Sequence, residues 1–134
     1  MVGIVITSHG NIAQELVETS KLFFGEQKQM KACCLSAEDN PDEFVDVLKD
    51  AIKEVDSGDG VVVFCDLLYG TPCNCMIRII GEDLDNDNIQ VLTGVNLAML
   101  LQVLSDRENL LIDKLIKSGQ EGITDLKEIL KTNL

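Results

Sequence analysis

Val61–Cys65 (VVVFC) is apolar at five consecutive positions, bounded by Gly58 and Gly60 on one side and Asp66 on the other. Five residues are too few for a helix. A strand without a polar alternate needs cover on both of its faces, the situation of a parallel sheet sandwiched between helices. The segments around it fit the same plan. Val2–Thr7 (VGIVIT), Met30–Leu35 (MKACCL) and Ile89–Thr93 (IQVLT) are short and rich in β-branched or small apolar residues. Between them lie segments with helical spacing. Asn11–Phe24 places Ile12, Ala13, Leu16, Val17, Phe23 and Phe24 on one side, with Asn11 as a plausible cap. Asn40-Pro41 opens a second helix, with Glu43 at the capping-box position and Phe44, Leu48, Ala51, Ile52 and Val55 as its apolar stripe.

Thr71-Pro72 reads as a cap and first helical residue, with Met76, Ile79 and Ile80 behind it. Leu97–Leu104 is apolar enough to require burial, and Leu110–Lys117 is amphipathic. The tail from Ile123 to Leu134 suits a helix by its Ile123, Leu126 and Ile129 spacing, but a short strand also fits. Strands alternating with helices predict an α/β domain: a mostly parallel doubly wound sheet, of order about 2-1-3-4, flanked by helices. The 134 residues suit one domain spanning 1–134, without an internal repeat or linker.

Composition narrows the function. With 23 acidic against 11 basic residues, the net charge of −12 opposes binding to nucleic acid or to an anionic membrane surface. No apolar run is long enough to span a bilayer, and MVGIVITSHG lacks the basic start of a signal peptide, so a cytoplasmic location is expected. The five cysteines are then reduced thiols, used for packing rather than for disulfides or metal. There is no G-x-x-x-x-G-K-[ST] or G-x-G-x-x-G, and neither a nucleotide cofactor nor a metal is expected.

In a doubly wound sheet the ligand site lies beyond the carboxyl ends of the strands, where the strand order reverses. The exits there read Ser8-His9-Gly10-Asn11, Ser36-Ala37-Glu38, Asp66-Leu67-Leu68-Tyr69-Gly70-Thr71-Pro72 and Gly94-Val95-Asn96. A lone histidine is commonly structural, but His9 stands at the switch point. Strands one and three are neighbours in the expected order, which sets Asp66 beside it. A carboxylate accepting one imidazole proton leaves the other nitrogen as a nucleophile or base. The plainer reading has Asp66 satisfying loop N–H groups. Gly10 permits a tight turn. Gly70, Thr71 and Pro72 lead into a helix whose first N–H groups, on Cys73 and Asn74, can face an anion, with Thr71 capping the helix or bonding that anion.

The hydrophobic first strand running into Ser8-His9-Gly10, the leucine-rich helix ending near Gly25-Glu26-Gln27, the strand into Asp66 with Gly70-Thr71-Pro72-Cys73-Asn74, and Gly94-Val95-Asn96-Leu97, in this order and spacing, resemble the IIA components of the mannose-family bacterial sugar phosphotransferase system over essentially the whole chain. The resemblance implies a phosphotransferase in which His9 takes a phosphoryl group from phospho-HPr and passes it to a IIB component, with membrane IIC and IID components served indirectly. It implies that Asp66 orients His9, and that Thr71 and nearby backbone amides, in the Gly10, Gly70, Cys73 and Asn74 neighbourhood, contact the phosphoryl group. It also implies a homodimer with an exchanged C-terminal strand. Three residues depart from the pattern: Tyr69 where a glycine is usual, Cys73 where a bulky residue is frequent, and Ala98 where proline often follows Gly-Val-Asn. A non-glycine at position 69 resists positive φ, so a different turn or a ring beside the site is expected. The phosphotransfer subunit of a dihydroxyacetone kinase, a phosphorylation-sensing regulatory module and a flavodoxin-like binding domain are the competing readings.

The charge is unevenly spread. Residues 36–59 hold nine acids and two lysines, and residues 81–90 hold four more acids. Residues 1–14 and 89–105 carry no charged side chain, and residues 60–77 carry only Asp66. The strand exits thus fall mainly in charge-free sequence, which spares a dianionic phosphoryl group from repulsion.

Overall fold

The computed structural model describes residues 1–133. Four parallel strands, β1 (Gly3–His9), β2 (Met30–Leu35), β3 (Val61–Cys65) and β4 (Ile89–Thr93), pair in the order β2-β1-β3-β4. Six helices flank them among the described residues: α1 (Ile12–Phe24), α2 (Pro41–Val55), α3 (Thr71–Gly81), α4 (Leu97–Ser105), α5 (Ile112–Glu121) and α6 (Leu126–Asn133). The expected α/β fold is the observed one.

The apolar run in β3 has the predicted cause. Val61, Val63 and Cys65 face a core shared with α2 and α3, together with Val5, Leu48 and Met76. Val62 and Phe64 face the opposite core, with Ile4, Ile6, Leu100, Val103 and Leu115. Each residue of β3 therefore has an apolar partner, and all five are buried. The wide register between β1 and β3, from Gly3↔Val61 to Thr7↔Cys65, puts their carboxyl ends side by side.

The expected Asn40 cap of α2 is present, and α4 has a cap of its own in Asn96. Asn40 Oδ1 accepts the Asp42 N–H at 2.8 Å, and Asn96 Oδ1 accepts the Met99 N–H at 3.0 Å. Among the described residues Glu43 makes no return bond to close the capping box. Other boundaries moved. β1 runs on to His9, which pairs with Leu35, so the histidine belongs to the strand rather than to the loop after it. α5 starts at Ile112 rather than Leu110 and continues to Glu121. The tail resolves as a helix, capped by Asp125 Oδ1 on the N–H groups of Lys127 and Glu128. No strand follows β4 among the described residues, and Leu134 lies outside them.

The buried Arg107 guanidinium closes the opposite end of the sheet, donating to the carbonyls of Val2 and Gln29 at 2.9–3.2 Å. The cysteines are free thiols. Burial pushes Cys33 up to about 11 and Cys65 up to about 12, so little thiolate is available on either. Alkylation of the native protein by iodoacetamide at pH 8 is accordingly expected to reach half-buried Cys34 first. Cys33 and Cys65 should react only in denaturant, as peptide mass mapping would read; early modification of Cys65 would contradict this packing.

Candidate functional site

Two strand ends build the site. β1 delivers His9, and the residue after β3 is Asp66, whose N–H is held by the Thr7 carbonyl at 3.2 Å. Asp66 Oδ2 takes two bonds from the same residue: the His9 backbone N–H at 3.0 Å and the ring Nδ1 at 2.8 Å. One oxygen thus fixes both the histidine backbone and its ring. The His9 side chain is 44% exposed and that of Asp66 12%, so the base is open while its partner is largely enclosed. With Asp66 ionised, the Nδ1 tautomer carries the proton and Nε2 keeps its lone pair. Asp66 Oδ1 is buried without a partner, an uncommon state for a carboxylate oxygen.

The turn after His9 is short. Gly10 takes φ +57, a conformation natural to glycine, and its N–H bonds the Leu35 carbonyl at 2.7 Å. Asn11, the expected cap of α1, makes no side-chain cap bond. The buried Ser8 hydroxyl does that work: it accepts the Ala13 N–H at 2.8 Å and donates to the Gly10 carbonyl at 3.2 Å. Sequence reasoning passed over Ser8 because a cap is sought beside the helix, whereas this one reaches in from the strand.

Opposite the ring lies the turn into α3. Gly70, not Thr71, is the cap residue, and Thr71 is the first helical position. Here glycine is dictated by a close approach. A Cβ on residue 70 would stand 2.5 Å from His9 Cε1 and 3.1 Å from Nε2. The N–H groups of Thr71 and Cys73 have no intrahelical carbonyl, as in any first turn, and the helix presents its positive end there. Asn74 is a correction. Its N–H is already spent on the Gly70 carbonyl at 2.9 Å, and its side-chain amide donates to the Tyr69 carbonyl at 3.0 Å. Cys73 is buried against the α2 side of the sheet, a small residue filling core space.

Tyr69 does not redirect the turn. It adopts φ +64, the left-handed conformation a glycine would take, at a cost of about 1 kcal/mol. The residue is 72% exposed, on a rim shared with exposed Leu67 and Leu68. The larger cavities lie elsewhere. One of about 480 Å³ sits around Arg107 and Asp59 at the other end of the sheet. A half-open histidine beside a helix start, rather than a deep pocket, suits a reactant delivered on the surface of another macromolecule.

The comparisons agree with this geometry. Residues 3–120 match the EIIA-man family model, described as PTS system fructose IIA component. The fructose-specific EIIA component of Bacillus subtilis (strain 168) is 30% identical over 118 residues, covering 88% of this chain and 79% of that protein. The mannose-specific EIIAB component of Escherichia coli (strain K12) is 28% identical over 131 residues, 94% of this chain; the chain spans only 40% of that longer relative. Among solved structures, EIIA from Streptococcus agalactiae superposes with a TM-score of 0.86 at 28% identity, covering 96% of this chain and 99% of that one. The IIA protein associated with the fucose utilization operon of Streptococcus pneumoniae gives 0.88 at 27% identity, covering 97% and 99%. The match extends over both strand ends and both turns that meet at His9, and the chain belongs to the EIIA-man family, the mannose-type IIA phosphotransferases of the sugar phosphotransferase system.

Proposed function

We propose that this protein is a cytoplasmic phosphocarrier in which His9 Nε2 accepts a phosphoryl group from phospho-HPr and yields it to a IIB component during coupled sugar uptake and phosphorylation. The observation that carries this reading is the 2.8 Å bond from His9 Nδ1 to Asp66 Oδ2 on a half-exposed ring. It leaves a single imidazole nitrogen free and aims it at solvent beside the start of α3.

The donor is itself a phosphohistidine, so the reaction exchanges one P–N bond for another. The bond from phosphorus to the donor nitrogen breaks as the bond to His9 Nε2 forms, and the Nδ1 proton stays between His9 and Asp66. The transferring group is nearly metaphosphate-like, and positioning and oriented dipoles supply most of the catalysis. In this role Gly10 and Gly70 leave room for the incoming group. The N–H groups of Thr71 and Cys73, with the Thr71 hydroxyl, face its oxygens. Among the described residues no helix is long and apolar enough to cross a membrane, and in this role the IIC and IID components are served through IIB. A homodimer is proposed with the family.

The test is reconstitution. Protein incubated with phosphoenolpyruvate, Enzyme I and HPr should gain about one acid-labile, alkali-stable phosphate per chain, and lose it on addition of the cognate IIB. A chain that stays unlabelled beside fully phosphorylated HPr would end the proposal.

A further inference from the structure

We propose that Asn74 is the positioning residue of the active-site turn: its side-chain amide latches Tyr69 in the left-handed conformation that keeps Gly70 against the His9 ring. Several observations converge on it. Tyr69 is one of only two non-glycine residues with positive φ among those described. Nothing in the core holds it there, because Leu67, Leu68 and Tyr69 all project into solvent. The turn closes on itself through the Gly70 N–H to the Leu67 carbonyl at 3.1 Å. Among the described residues, the one side chain that bonds the backbone of residues 67–70 is Asn74, at 3.0 Å on the Tyr69 carbonyl.

Asn74 is well placed to act as a fixed point. It sits in the first turn of α3, where its own N–H is anchored on Gly70 O at 2.9 Å, and the helix is held in the core by Cys73, Cys75 and Met76. The latch therefore ties a strained, exposed turn to a rigid element. The consequence reaches the nucleophile through Gly70, whose α-carbon lies so near the ring that a methyl there would meet Cε1 at 2.5 Å. If Tyr69 relaxes to negative φ, Gly70 and the start of α3 shift relative to Nε2. A glycine at position 69 has no such preference to relax toward, so it makes the latch dispensable.

The inference rests on the phosphocarrier reading for its kinetic arm, and a second arm is independent of it. The variants are N74A, Y69G, Y69A, N74A/Y69G and N74A/Y69A. Each is read by the rate of His9 phosphorylation at saturating phospho-HPr and by amide hydrogen exchange at Gly70. N74A is expected to slow phosphorylation about tenfold, the scale of a small misplacement of reacting groups, and to speed exchange at Gly70. In the Y69G background the same substitution should change neither readout by more than about twofold, the signature of two residues acting through one feature. N74A/Y69A should stay slow, since alanine shares the tyrosine's reluctance toward positive φ. A tenfold loss persisting in N74A/Y69G relative to Y69G, or an N74A variant unchanged in both rate and exchange, would overturn the latch. If the wild-type chain is never phosphorylated, the phosphocarrier reading falls while the exchange cycle still judges the latch by the same criteria.

Discussion

His9→Gln is expected to leave a folded protein that takes up no phosphate from phospho-HPr. The fold should survive because the His9 side chain is half exposed at a strand end and belongs to neither core. Its backbone N–H bond to Asp66 does not depend on the side chain, and stability should change by no more than about 1 kcal/mol. The chemistry should not survive. His9 is the only histidine in the sequence, so the variant has no imidazole nitrogen to attack phosphorus. Uncatalysed attack by a neighbouring group leaves a deficit of at least about a thousandfold. The measurement is phosphate incorporation from phosphoenolpyruvate, Enzyme I and HPr, with the lability of the product recorded. Acid-labile phosphate persisting on H9Q would remove His9 from the pathway. Alkali-labile phosphate would instead point to an acyl phosphate, with Asp66 as the acceptor nearest the site.

Much of this arrangement could be read from residue order, because it follows from period and register. Five apolar residues at Val61–Cys65 demanded two cores, two cores demanded helices on both faces, and the order that results puts His9 beside Asp66. What could not be read depends on how a chain closes on itself over short distances. Ser8 and Asn11 are both capping residues by type, and only the extension of β1 to His9 brings the Ser8 hydroxyl under Ala13. Thr71 lost the cap position to Gly70 for a similar reason: the close approach of the His9 ring forbids a side chain at 70, and the helix begins immediately after it. Tyr69 carries an intrinsic preference against its observed φ of +64, so local propensity argued for a different turn. Position 74 outweighs it from within the next helix, a contact that no local pattern encodes. The tail was ambiguous because a half-apolar segment of this length fits either period; Asp125 at the cap position decided for helix.

Asp66→Asn isolates the charge of the carboxylate from its geometry, and it is expected to slow phosphorylation about a hundredfold at saturating phospho-HPr, on the scale of losing one preorganised electrostatic partner. The asparagine oxygen can still accept the His9 backbone N–H and the Nδ1 proton, so the ring should keep its orientation. What it lacks is the negative charge. Attack by Nε2 from an imidazole that retains its Nδ1 proton leaves the ring cationic, and Asp66 Oδ2 at 2.8 Å is the group placed to stabilise that cation as it develops. Asp66→Ala should be slower still, because the backbone N–H and the ring both lose their acceptor and the ring is free to turn. Neither loss should come from unfolding. Asp66 Oδ1 is buried without a partner, so deleting the carboxylate relieves one cost while it adds another by leaving the His9 N–H without its acceptor. D66A is therefore expected to stay within about 1 kcal/mol of the wild type in urea stability while failing in transfer, the pattern of a residue kept for chemistry rather than for the fold. Rapid-quench measurement of a single transfer, with urea titration of the same samples, separates the two effects. A D66N rate equal to wild type would confine Asp66 to orientation, and a D66A rate equal to wild type would take it out of the mechanism.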